Sequence, residues 1–89
     1  MGIICNQVPN TQKIIYDCIG KGQECYIVSE NEKLSKSLEK YMEKNEIVMK
    51  EINELSYNYQ PIDKNKAIKE LGIPDGGVIA IKLKSKFNN

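Results

Sequence analysis

The sequence has no histidine and no tryptophan, and since all 13 of its basic residues are lysine it has no arginine either. The first absence removes the commonest acid–base group at neutral pH and the commonest metal ligand. The missing arginine takes away the planar fork that grips carboxylates and phosphates from two positions, and the missing tryptophan a frequent interface anchor. The three cysteines, Cys5, Cys18 and Cys25, form no C-x-x-C pair and have no histidine to complete a ligand set, which argues against a tetrahedral zinc site. A cysteine nucleophile would need a lysine or a helix N-terminus to activate it. Cys18 is expected at a helix C-terminal end, and Cys5 and Cys25 inside apolar strands, so all three read as buried, inert thiols of a reducing compartment. No catalytic constellation, metal or cofactor is expected.

Long apolar runs are also missing. No segment approaches the roughly 18 apolar residues that span a bilayer. The N-terminal MGIICNQV lacks the basic region of a signal peptide, and Asn6 stands where a myristoylation signal wants serine or threonine. A cytoplasmic protein is therefore expected.

The chain of 89 residues, 40% hydrophobic and 28% charged with a net charge of +1, has the composition of one folded domain spanning 1–89. Its charge is balanced over residues 1–29, acidic by 2 over 30–60 and basic by 3 over 61–89. This asymmetry is too mild for a dedicated polyanion binder.

The apolar run GIICNQ (2–7) reads as a short buried strand. TQKIIYDCI (11–19) reads as a helix capped by Asn10, with Ile14, Ile15, Cys18 and Ile19 inward and Gly20 and Gly22 marking its end. The lysine between those glycines suggests a phosphate loop, but such a loop leads from a strand into a helix, and here a strand (24–29) follows. Ser29 and Glu32 form the S-x-x-E pattern of a capping box ahead of Leu34, Leu38, Tyr41 and Met42 at helical spacing. Residues 46–55 read as a strand. The alternative is a single helix through 29–59, whose seam of Leu34, Leu38, Tyr41, Asn45, Val48, Ile52, Leu55 and Tyr59 has coiled-coil spacing and would need a dimer. Asp63 can cap a third helix with Ala67, Ile68 and Leu71 inward, closed by Gly72. The stretch VIAIKLKSKF then reads as a strand with Ile79, Ile81, Leu83 and Phe87 on one face and Lys82, Lys84 and Lys86 on the other.

The alternation of these elements predicts a small α/β domain with about four short strands in a mostly parallel sheet and three helices. Three surfaces are candidates for function. The tyrosine-rich stretch Tyr57, Asn58, Tyr59 and Gln60 mixes rigid amphipathic rings with adaptable polar groups, the composition of protein-binding surfaces. The polar residues Asn6, Gln7, Asn10, Thr11, Ser29 and Asn31 would meet at the carboxyl ends of the first two strands, the usual place for a small ligand or nucleotide in an open α/β sheet. Lys82, Lys84 and Lys86 could follow a phosphate backbone, although lysines on a strand equally protect a sheet edge. The leading reading is a small non-catalytic protein that binds another protein as a regulator or inhibitor, with a homodimer also compatible and a size and composition suited to a phage or mobile element. A ligand-binding module and a weak nucleic-acid binder are the alternatives.

Overall fold

The computed structural model describes residues 10–84. Five strands and two helices follow one another as β1 (Thr11–Cys18), β2 (Gly22–Ser29), α1 (Leu34–Lys44), a 3₁₀ turn (Met49–Glu51), β3 (Ile52–Tyr57), β4 (Gln60–Pro61), α2 (Ile68–Leu71) and β5 (Gly77–Leu83). The strands form one mixed sheet in the order β2-β1-β5-β3-β4. Only β1 and β5 run parallel; the other neighbours are antiparallel. The sheet is thus not mostly parallel, and two helices are found among the described residues instead of three. The expected strand at 2–7 lies outside the described residues.

The segment expected to be the first helix is β1. Its residues IIY are β-branched and aromatic, types that favour a pleated surface, and Ile14, Tyr16 and Cys18 alternate into the core. Ile15 lies half-buried on the opposite face and Ile19 is exposed, so the inward stripe of a helix is replaced by a period of two. Gly20 and Gly22, both at positive φ (89° and 93°), close a hairpin into β2 and do not end a helix.

α1 is the helix expected from the sequence, with Leu34, Leu38, Tyr41 and Met42 buried. It ends at Lys44 with Glu46 in the left-handed region (φ 58°). The Ile47 N–H donates to the Met42 carbonyl (2.9 Å) and the Glu46 N–H to that of Glu43 (3.3 Å). These are the two bonds of a Schellman stop, and they overturn the alternative of one helix through 29–59. The strand reading of the following segment holds, although the strand itself begins at Ile52.

The start of α1 also differs in detail. Glu32 accepts from the Ser29 N–H (3.3 Å), but the Ser29 hydroxyl accepts from Asn31 and not from a helical N–H. The free N–H groups of Leu34 and Ser35 are met by the carbonyls of Lys66 and Lys64, while those of Ile68 and Lys69 reach the carbonyls of Glu32 and Glu30. The segment leading into each helix therefore caps the first turn of the other with backbone carbonyls. Asp63 makes a local turn to Asn65 (2.9 Å), four residues of the predicted third helix form α2, and Gly72 ends it in the left-handed region as expected.

Both helices lie on one face of the sheet. Between them and the sheet pack Ile14, Tyr16, Val28, Leu34, Leu38, Tyr41, Ile68, Ile79 and Ile81. The Tyr16 hydroxyl is buried and satisfied by Ser37 Oγ (2.9 Å) and the Leu34 carbonyl (3.2 Å). No helix among the described residues is long and apolar enough to cross a membrane.

Candidate interaction surface

The second face of the sheet carries no helix. Along β1 it presents Lys13, Ile15 and Asp17, along β2 Cys25 and Ile27, along β5 Val78, Ala80 and Lys82, and along β3 Glu54 and Ser56. The registers Ile15↔Cys25, Ile15↔Val78 and Ala80↔Ser56 place these side chains in rows across the strands. Ile27 is 72% exposed and Val78 41%, so an apolar band crosses a surface that water reaches.

At one edge of this face, β3 turns into β4. Tyr57 pairs with Gln60, leaving Asn58 and Tyr59 as the central residues of a two-residue turn. Both have positive φ, 54° and 67°, as a type I′ turn requires. Asparagine suits its position, but tyrosine does not, because its Cβ crowds the backbone in the left-handed region. The Tyr59 ring is nevertheless 95% exposed and recovers none of that strain by packing. It overhangs two shallow depressions of about 350 and about 440 Å3 that share Ser56, Tyr59 and Ala80. The larger also has Asp17 and Ile19 on one wall and Glu54 and Lys82 on the other.

The structure divides the predicted tyrosine pair. Tyr57 turns inward against the core, with its ring next to Gly77, and only Tyr59 projects outward. Asn58 and Gln60 flank it at the tip.

The other predicted residues are distributed differently from expectation. Asn10 and Thr11 open β1 and do not cap a helix. Thr11 pairs with Ser29, and the Glu30 N–H donates to the Asn10 carbonyl (2.8 Å), so these residues share the open end of the β1–β2 hairpin. Ser29 and Asn31 bond to each other in a local turn. Asn6 and Gln7 lie outside the described residues, as does Lys86. Lys82 belongs to β5, which is central in the sheet, so it protects no edge, and Lys84 follows the end of that strand, its N–H donating to the Glu51 carbonyl at 2.8 Å. Lys82 stands opposite Glu54, which mixes the charge of that face.

Of the cysteines, Cys18 is buried, and desolvation raises its thiol pKa against the opposing pull of Lys21. Cys25 is exposed on the uncovered face, contrary to expectation. Among the described residues no cluster of histidine, cysteine or carboxylate side chains could hold a metal ion.

The sequence reading missed Ile15, Ile27, Val78 and Ala80 as surface residues. The runs IIY, YIV and VIAI carry apolar residues on both sides of their strands, which ordinarily means that both faces are covered. Five strands with only two helices leave one face bare, and that count is the signal that exposes them.

A hairpin, a helix across one face, and a last strand inserted parallel to the first define a known architecture. The fold is that of ubiquitin. A designed protein described as based on ubiquitin superposes with a TM-score of 0.73 at 16% identity, covering 92% of this chain and 99% of the other. The ubiquitin of Caldiarchaeum subterraneum superposes with a TM-score of 0.74 at 15% identity, covering 88% of this chain and 99% of its own. No protein-family model matches the chain, nor does any curated protein sequence. Within the ubiquitin-like fold the bare face is the outer surface of the β-sheet, and Tyr59 lies at its β3–β4 rim.

Proposed function

We propose that this protein is a non-catalytic interaction module that binds another protein through the bare face of its ubiquitin-like sheet, with Tyr59 as the anchoring side chain, and that it regulates the partner by occupying its surface. The observation that carries this reading is the Tyr59 ring, fully exposed on a backbone conformation that disfavours it. A strained residue with no packing role in its own domain is best accounted for by a role outside it. The apolar row of Ile15 and Val78 supplies the area beside such an anchor, and Asp17, Glu54 and Lys82 a polar rim. Buried aromatics within a polar rim are where binding energy concentrates.

The test uses the full chain. Partners captured from lysate of the source organism or its host, after nuclease treatment, are purified, and their affinity is measured for the wild type and for Tyr59→Gly. Glycine removes the ring and relaxes the turn, so a folded, more stable protein with at least about 30-fold weaker binding is expected, the size of a hot-spot loss. Unchanged affinity in Tyr59→Gly would refute the assignment.

A further inference from the structure

The edges of the described sheet are β4, with two residues, and β2, with eight. The free backbone groups of β2 can be assigned. The Glu30 N–H donates to the Asn10 carbonyl at 2.8 Å, so 10/30 is a hydrogen-bonded pair. Antiparallel pairs alternate, and with the register Thr11↔Ser29 to Cys18↔Gly22 the even-numbered residues of β2 point their N–H and C=O groups at β1. Those of Gln23, Cys25, Ile27 and Ser29 point outward. Ser29 is already closed, since its N–H reaches the Glu32 carboxylate and its carbonyl accepts from the Glu32 N–H. Among the described residues, a ladder centred on Cys25 is left open.

Proteins usually blunt such an edge with lysine, proline or a bulge. The sequence GQECYIVS contains neither residue, and its pairing with β1 runs without a register shift. Lys82, expected from the sequence to do this work, stands on β5 in the middle of the sheet.

We infer that β2 is the seam of a homodimer, pairing antiparallel with β2 of a second copy about a two-fold axis at Cys25. The seam is at the opposite edge of the sheet from Tyr59, so this inference stands or falls independently of the proposed function. Register and charge select the geometry. With Cys25 opposite the second copy's Cys25, and Gln23 opposite its Ile27, every open residue meets an open residue and each pair exchanges both its N–H···O bonds. Glu24 then faces the second copy's Tyr26. Sliding the copies one step toward Gly22 sets Glu24 against the second copy's Glu24, a destabilising like-charge pair. A slide the other way sets Gln23 against the closed Ser29 and loses part of the ladder. On the helix side, Lys44 holds Glu24 at 3.0 Å, so each copy brings a neutralised pair to the seam. Ile27, 72% exposed in the single copy, loses water contact as the second strand arrives. The bare face of one sheet continues into that of the other and remains open to a partner.

The test is sedimentation equilibrium of the full chain from micromolar to millimolar concentration, with residue-resolved amide hydrogen exchange on the same samples. The expected result is a monomer–dimer equilibrium in which protection of the Gln23, Cys25 and Ile27 amides rises with concentration while that of Val28, bonded within its own sheet, does not. Cys25→Pro removes a donor that points away from β1, a change edge strands tolerate, and should abolish the dimer with the fold retained. Ile27→Lys tests the same seam without proline and should also give a monomer. The inference is overturned by a monomer throughout the range, by a dimer that survives in a folded variant, or by protection of the three amides that does not depend on concentration, which would mean that the edge is covered from within the chain. Pairing of this edge with an extended segment of a different protein, while the chain alone stays monomeric, would overturn it as well.

Discussion

Gly77 shows how closely the first residue of a strand can be dictated by its neighbours. A Cβ built there would lie 2.6 Å from Ile73 Cγ2 and 3.1 Å from both the Pro74 carbonyl oxygen and the Tyr57 ring. Ile73 is buried, and the Pro74 oxygen accepts the Gly77 N–H, so neither can easily withdraw. Gly77→Ala should therefore cost about 1–3 kcal/mol, the range of core overpacking, read as a lower urea midpoint with an unchanged slope. The same crowding explains why Tyr57 and Tyr59 separate: the inward ring is wedged against the turn into β5, and the two-residue turn throws the next tyrosine outward. At Tyr59→Gly the sign of the stability change is opposite. Relief of left-handed strain, about 1–3 kcal/mol, exceeds the entropy glycine adds to the unfolded chain, about 0.4–1 kcal/mol.

At the scale of elements, the β1–β2 hairpin is where helical spacing and strand chemistry disagreed. Ile14, Ile15, Cys18 and Ile19 satisfy a helical stripe, but isoleucine, tyrosine and threonine suit a strand as well, and over nine residues the spacing cannot separate the two. The decisive partner, β5, lies some sixty residues away and is invisible locally. Gly22 reports the outcome: space around its Cβ position is empty, so Gly22→Ala is penalised by its φ of 93° alone. A loss of about 1–2 kcal/mol is expected, measurable by thermal or urea unfolding, and no loss would argue against the hairpin turn. The core of α1 was legible because four large apolar residues fall on one stripe. Its stop before residue 46 was the preferred of two readings, and the continuous helix stayed open as the alternative because Glu46 occupies a position that usually announces itself with glycine. The reciprocal capping of α1 and α2 was hidden for a different reason, because carbonyl groups carry no side-chain signature. For the candidate site, the tyrosine composition was readable, but which ring faces solvent depends on turn geometry, and the apolar face depends on a count of helices that the misread β1 had inflated.

The whole molecule should lose stability in alkali, because its core is organised around ionisable rings. Tyr16 packs against Tyr41 at a centroid distance of 5.5 Å and against Tyr26 at 5.9 Å. Burial raises the Tyr16 phenol well above its ordinary value, with the Ser37 hydrogen bond opposing in part, and pushes Tyr41 up to about 12. The Tyr41 hydroxyl donates to the Gly22 carbonyl at 2.6 Å, a bond that ionisation would destroy. In the unfolded chain both phenols lose their protons near 10.0 and the Cys18 thiol near 9.0. Between those values and the raised native ones the folded protein holds more protons than the unfolded chain, so unfolding releases protons and stability falls as pH rises. The contribution is fully present below about pH 9 and declines through about 12 at Tyr41, continuing higher at Tyr16. Urea midpoints measured from neutral pH upward should be flat at first and then fall, with the phenolate absorbance of the buried rings appearing together with the loss of tertiary structure. Tyr16→Phe separates the two contributions of this ring. At neutral pH it should cost about 1 kcal/mol for the lost hydrogen bonds, since Ser37 keeps its bond to the Leu34 carbonyl at 3.2 Å. Above pH 10 its stability should fall less steeply than that of the wild type, so the two curves converge; parallel curves would show that Tyr16 ionises as readily in the fold as outside it.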